Sequence, residues 1–167
     1  VVGDEAIVPS LVAKGYHFFV AIGNNRVRQK VQRQLEEQGA IIATLIHPNA
    51  SVGMACHIGK GCLILAGAVV NAFTEIGAGT IVNTRASVDQ DGHVSEFVHI
   101  APGASIAGQV SIGEATFMGI GSAVIQCISI GSDVTVGAGA TVVNSISDSL
   151  VVVGTPATEI NSQKRSD

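Results

Sequence analysis

The sequence predicts a mainly β protein: a parallel β-helix wound from hexads, preceded by a partial α/β subdomain. Three observations predict it. From Val52 an apolar residue recurs every six residues at sixteen consecutive positions, through Ile58, Ile64 and Val70 to Val142, and all but Met118 are β-branched. Four residues after each comes a mostly small series, Cys56, Cys62, Ala68, Thr74, Thr80, Ala86 and onward to Ala140. Gly59, Gly77, Gly113 and Gly131 share an 18-residue register, with Ser95 in the slot between Gly77 and Gly113. A fixed short period of this length marks a solenoid, in which each repeat buries its apolar side chain only by stacking on its neighbours.

The N-terminal elements come first. Tyr16 to Ile22 reads as a short buried strand, and Gly23-Asn24-Asn25 as a turn with Asn24 the helix N-cap. Val27, Val31 and Leu35 recur at helical spacing, Gly39 follows as a C-cap, and Ile41 to Ile46 reads as the next strand. Strand–helix–strand is the βαβ unit of a parallel sheet. It looks like the second half of a Rossmann-like subdomain. The half that would carry a Gly-rich phosphate turn is not in the sequence, which also begins without Met, so the chain reads as N-terminally truncated. His47-Pro48 marks the expected boundary, because proline disfavours continued regular structure before it. The expected division is residues 1–47 as a partial nucleotide-sugar-binding subdomain, 48–150 as the β-helix and 151–167 as a tail.

In the solenoid, six residues make one flat strand and a tight corner, and three such faces close a triangular coil of 18 residues. Val52 to about Asp148 supplies between five and six coils. The branched series is expected to point inward, where pleated packing favours it. The small series points inward near the corners, and the glycines sit at corners because a positive φ costs them little. A β-sandwich is the competing fold, but turn signals every six residues are too close together for one.

Composition agrees. Of 167 residues only 4% are aromatic and none is Trp, as a thin prism filled by Val, Ile and Ala requires. The three cysteines are an odd number, no signal peptide is visible, and Cys56 and Cys62 read as small inward hydrophobes, which places the chain in a reducing cytoplasm. Mean hydropathy is +0.46, yet no apolar run approaches the ~18 residues of a membrane span. Residues 51–160 carry only Lys60 and Arg85 against eight acids, which argues against a nucleic-acid partner.

The segments Phe18-Phe19-Val20-Ala21-Ile22-Gly23-Asn24-Asn25 and Leu45-Ile46-His47-Pro48, the hexads, the stretch Glu96-Phe97-Val98-His99-Ile100-Ala101-Pro102-Gly103-Ala104 and the closing Val153-Gly154-Thr155-Pro156-Ala157 together resemble one group. It is the sialic-acid O-acetyltransferase and UDP-4-amino-sugar N-acetyltransferase group of the hexapeptide-repeat acyltransferases. The resemblance implies a left-handed β-helix, a homotrimer, and acetyl-CoA as co-substrate in the groove between adjacent β-helices, with no metal. It implies that the N-terminal subdomain binds a UDP-amino-sugar or sialic-acid-type acceptor, with Gly23, Asn24 and Asn83 on the acceptor side. His99 falls where the family has a histidine near the thioester, Ala107 and Gly108 match the backbone pair near the acetyl group, and Ile120 and Ala138 match groove positions lining the pantetheine.

The family's catalytic histidine falls at Gln90, within Asp89-Gln90-Asp91. Glutamine has no titratable nitrogen and is no general base near neutral pH. Asp91 stands where the family orients that histidine, and His93 is the nearest other imidazole along the chain. Thr158-Glu159 replaces the usual basic residue after Gly154-x-Pro156-Ala157, which implies weaker coenzyme A binding. The expected activity is acetyl transfer to the amino group of a nucleotide-linked amino sugar, impaired by Gln90. Sialic-acid O-acetylation and a non-catalytic sugar-nucleotide or CoA-binding β-helix are the alternatives. A zinc lyase on the same fold needs three converging histidines, and His93 and His99 are six apart with none in later coils.

Overall fold

The computed structural model describes residue 3 and residues 5–160. A 3-10 turn, Glu5–Ile7, leads into α1 (Val8–Ala13), β1 (His17–Phe18), α2 (Asn25–Glu37) and β2 (Ile41–Ile42). β1 and β2 pair in parallel, His17 opposite Ile41, so the strand–helix–strand unit forms. The Asn24 side chain caps α2 by accepting the Val27 N–H at 3.0 Å, and Gly39 turns left-handed beyond its end with φ 80°. The strands are shorter than expected. Tyr16 is exposed, and the run from Ile41 divides: Leu45–Ile46 leaves β2 and pairs with Leu63–Ile64 of the solenoid.

The solenoid has three parallel faces. The first stacks Leu45–Ile46, Leu63–Ile64, Ile81–Val82, His99–Ile100, Phe117–Met118, Thr135–Val136 and Val151–Val153, and Thr158–Glu159 closes it antiparallel. The second runs from Ser51–Val52 through Ser87–Val88 and Ser105–Ile106 to Thr141–Val142. The third runs from His57–Ile58 through Glu75–Ile76 and His93–Val94 to Ser129–Ile130. Strand partners lie 18 residues apart, as in Ser87 opposite Ser105 and His99 opposite Phe117. This register stacks the branched series into the core, where Ile64, Val82, Ile100 and Met118 have no exposed surface. Only Val52 and Ile58, at the end where the stack begins, keep solvent contact.

Two details of the corners differ from expectation. Gly59, Gly77, Gly113 and Gly131 are not at positive φ. They are glycine because the next coil passes too close: a Cβ on Gly59 would lie 2.7 Å from the Ala78 nitrogen, and one on Gly77 2.6 Å from that of Glu96. The left-handed corner sites are other positions, held by glycines such as Gly61, Gly79, Gly103 and Gly121 and also by Phe73, Arg85, Asp91, Phe97, Gln109, Cys127 and Asp133, the latter with φ between 55° and 60°. The small inward series also does more than fill space. Cys62 donates to the Gly77 carbonyl at 3.1 Å, Thr80 to Ser95 at 2.9 Å and Thr116 to Gly131 at 2.7 Å, each satisfying a corner carbonyl of the next coil.

α2 lies along the corner between the third and first faces, and it turns its polar side inward. Asn25, Arg28, Gln29 and Gln32 are buried while Val27 is 46% exposed. Val31 and Leu35 line a hollow with Val8, on the side away from that seam. Successive helix turns meet successive coils. Asn25 donates to the Ala115 carbonyl at 2.9 Å and Arg28 to that of Gly79 at 2.7 Å, and Lys60 pairs with Glu36 at 3.0 Å. Arg26 pairs with Glu114 at 2.9 Å and with Asp133.

Candidate functional site

The candidate residues collect at two edges of the prism. On the first face, the strand alternation points His99 outward between Ile81 and Phe117. The Phe117 ring meets it edge-on, with centroids 5.2 Å apart. Asn83 follows the neighbouring strand. Its Oδ1 accepts the Thr84 N–H at 2.7 Å, which turns its NH2 toward His99, where Nδ2 lies 3.0 Å from Nε2. An accepting Nε2 assigns the ring proton to Nδ1. Among the described residues that buried Nδ1 has no hydrogen-bond partner. Burial lowers the affinity of His99 for a second proton; a looser polar contact with the Gly23 backbone, too long or bent to count as a hydrogen bond, opposes this, and the Arg28 charge adds a smaller lowering. The ring is therefore neutral at pH 7.

The turn before α2 stands over this imidazole. Gly23, Asn24, Asn25 and Arg26 form one wall of a cleft of about 390 Å³, and Ala115, Phe117, Asp133 and Thr135 form the other. Arg28, 1% exposed, ties the first wall to the solenoid corners beside the cleft. It donates to the carbonyls of Ile22 (2.9 Å) and Gly23 (3.1 Å) on one side and of Gly79 (2.7 Å) and Phe97 (3.0 Å) on the other. None of its hydrogen-bond partners is a carboxylate, and burial brings its pKa down to about 10, which leaves it charged at neutral pH.

Ile120 and Ala138 lie farther up the corner between the first and second faces. That ridge is nearly bare. Ile120 is 60% exposed, and Cβ atoms built on Gly103, Gly121 and Gly139 would meet nothing within 4 Å. Gln90, Asp91, Ala107 and Gly108 belong to the other corner of the second face. The exposed Gln90 amide lies against Gly108, where a Cβ would come 2.6 Å from its nitrogen. Asp91 is exposed at φ 56°, and Asp89 accepts from Asn71 at 2.6 Å. Within one chain a whole face separates Gln90 from His99. His93 is on the third face, 2.9 Å from Glu75, and does not approach either group. Among the described residues no three His, Cys, Asp or Glu side chains are placed to share a metal.

This architecture has close counterparts. PerB from Caulobacter crescentus, solved with CoA and GDP-perosamine, is 41% identical with a TM-score of 0.94, over 96% of this chain and 78% of that one. The chain belongs to the hexapeptide-repeat sugar N-acetyltransferases. Its fold is the left-handed parallel β-helix of that family. The acetyltransferase domain of PglB from Neisseria gonorrhoeae FA1090, solved with acetyl coenzyme A, is 40% identical over 96% of this chain and 78% of that one, with a TM-score of 0.93. The family described as the PglD N-terminal domain matches residues 1–35. GDP-perosamine N-acetyltransferase of Escherichia coli O157:H7 is 31% identical over 103 residues, 62% of this chain and 47% of that protein, so the match spans just under half of the curated relative.

For this sugar N-acetyltransferase family member, hydrophobic periodicity missed the polar contacts that assemble the cleft. Periodicity gives no role to Arg28, Gln29 or Phe117, and it marks Asn25 only as part of a turn. A usable signal was present: Glu96 and Glu114 are 18 residues apart, with Asp133 one coil on, and face a helix bearing Arg26 and Arg33.

Proposed function

We propose that the chain transfers the acetyl group of acetyl-CoA to the amino group of a nucleotide-linked amino sugar, as a homotrimer. The observation that carries this reading is the division of the candidate residues between two corners of the prism. His99, Asn83, Ile120 and Ala138 border one corner, and Gln90, Asp91, Ala107 and Gly108 the other. Corners of neighbouring copies can meet, so a groove between two prisms would unite them. The bare ridge of Gly103, Gly121 and Gly139 suits a thin pantetheine arm, and the Gly108 N–H, without an acceptor among the described residues, is available to the thioester oxygen. Residues 1–47 would hold the nucleotide sugar, with Gly23 and Asn24 lining the cleft, and 48–150 would carry the transfer.

In the reaction the amine nitrogen attacks the thioester carbon, the C–S bond breaks and the thiolate leaves. The amine must arrive neutral and then lose a proton. Gln90 can hydrogen-bond the amine but cannot accept that proton, and the lone pair of His99 Nε2 is engaged by Asn83. Transfer is therefore slow in this chain, and the proton passes to solvent or to the departing thiolate. The three cysteines are free, consistent with a reducing cytoplasm, and no described helix is long and apolar enough to cross a membrane.

Free-thiol release with acetyl-CoA tests the proposal, comparing UDP- and GDP-linked 4-amino sugars. The sequence resemblance favours UDP, whereas the perosamine relatives are named for a GDP sugar. Gln90→His should raise the rate about 10²–10⁴-fold, the usual worth of a positioned base. No release with either sugar, even from Gln90→His, would overturn the reading. Release with a sialic acid alone would reassign it to O-acetylation, and CoA binding without turnover to a binding role. A monomer mass by light scattering would remove the shared groove.

A further inference from the structure

The proposed reaction uses no chemistry of Arg28, yet this guanidinium joins the turn beside His99 to the solenoid corners that lead into its face. It holds Ile22 and Gly23 of the turn, Asn25 of α2 at 2.9 Å, and Gly79 and Phe97 of two solenoid corners. Five N–H donors in a fixed fork suit this set of oxygens, and no other side chain reproduces the fork. A cation this deeply buried is ordinarily matched by a carboxylate. Here its hydrogen-bond partners are neutral oxygens, and its charge adds a small lowering to the effect of burial on His99. Asn83, Ile81, Phe117 and the Gly23 turn complete the surroundings of His99, and none of them is charged.

Building on the acetyl-transfer reading, we infer that Arg28 is a positioning residue of that site: it seats the Gly23 turn over His99, whose Nε2 receives Asn83 and whose proton sits on Nδ1. The turn and the ring are then set together. Loosening the turn widens the acceptor cleft, and removing the charge slightly eases the ring's second protonation. These are separable effects. Arg28→Lys keeps the charge but cannot reach all the oxygens, whereas Arg28→Met removes both.

Nitrogen-15 NMR of histidine-labelled protein, with His99 assigned from the spectrum of His99→Gln, tests the first half without reference to activity. The Nδ1–H form with titration below the ordinary range of 6.5 is expected. An Nε2–H ring, or ordinary titration, overturns the inference. The second half is read by kinetics in a Gln90→His background. Arg28→Lys should raise KM for the nucleotide sugar about tenfold, the usual loss of one charge-assisted hydrogen bond, with KM for acetyl-CoA and the His99 titration unchanged. Arg28→Met should also move the titration upward. Arg33→Gln, which breaks an exposed pair with Glu96, should change neither. Equal behaviour of the three variants would reduce Arg28 to a structural role. Absence of transfer from Gln90→His itself, with Arg28 intact, would instead defeat the parent reading and leave the NMR result standing.

Discussion

Inside the prism Ile64, Val82, Ile100 and Met118 stack with no charge among them, while beneath α2 Asn25, Arg28, Gln29 and Gln32 fill a seam that is nearly as dry. The two regions achieve burial by opposite means. In the core each branched side chain contributes about 1.5–3 kcal/mol from the area it removes from water, with little dependence on direction. In the seam each hydrogen bond nets only about 0.5–1.5 kcal/mol, and a donor left without its acceptor costs more than that. The core therefore supplies stability and tolerates volume-conserving change. The seam supplies placement, because carbonyls at fixed intervals accept only one register of the helix. The cleft that lies against the solenoid borders on the seam and not on the core.

Substitutions can break this contrast or sharpen it. The largest effect is expected from Ile100→Ala, where a cavity in the fully buried column should cost about 2–5 kcal/mol in a denaturant melt. A loss below about 1 kcal/mol would mean that the column collapses freely. Gly59→Ala comes next, at about 1–3 kcal/mol by the same measurement, because its methyl would meet the backbone of the next coil. Third is acidification. His99 binds its proton more weakly folded than unfolded, so the unfolded chain takes up more protons and stability falls as pH drops below about 6.5. Glu114, held below its usual 4.5 chiefly by the Gln29 hydrogen bond, adds a second loss at lower pH. Melts from pH 7 to pH 5 should show the first loss, and His99→Gln should abolish it. The smallest change is expected from Gln32→Met. Gln32 Oε1 is buried without a partner among the described residues, so an apolar replacement should alter stability by less than about 1 kcal/mol and in the favourable direction.

The core was legible because its signal is periodic and apolar: Val52 through Val142 declared the coil, and Asn24 and Gly39 declared the ends of α2. The glycine columns were legible as positions but not as causes, since coil-to-coil approach leaves the same mark on a sequence as a positive φ. The seam left no such signal. Val27, Val31 and Leu35 marked the helix, but their spacing does not say which side of α2 meets the solenoid. The side that meets it carries Asn25 and Arg28, which bond backbone oxygens, and Gln29, which bonds the Glu114 carboxylate; backbone oxygens are present in every sequence alike. The neighbourhood of His99 and Asn83 came from a motif, yet the tautomer required the Thr84 contact, and the separation of Gln90 from His99 required the face between them.

Two repeats of unequal length run side by side along that corner. An α-helix advances about 5.4 Å per turn and stacked strands about 4.8 Å per coil. They slip by roughly 0.6 Å at each step, and by roughly 2 Å over the thirteen residues of α2. That is close to the slack flexible side chains can absorb at the two ends, where long Arg26 and Lys60 make the contacts, while Arg28 grips in the first turn. The corner acts as a vernier: it sets how long a helix can ride the solenoid, and it fixes the height along the prism at which the Gly23 turn must stop.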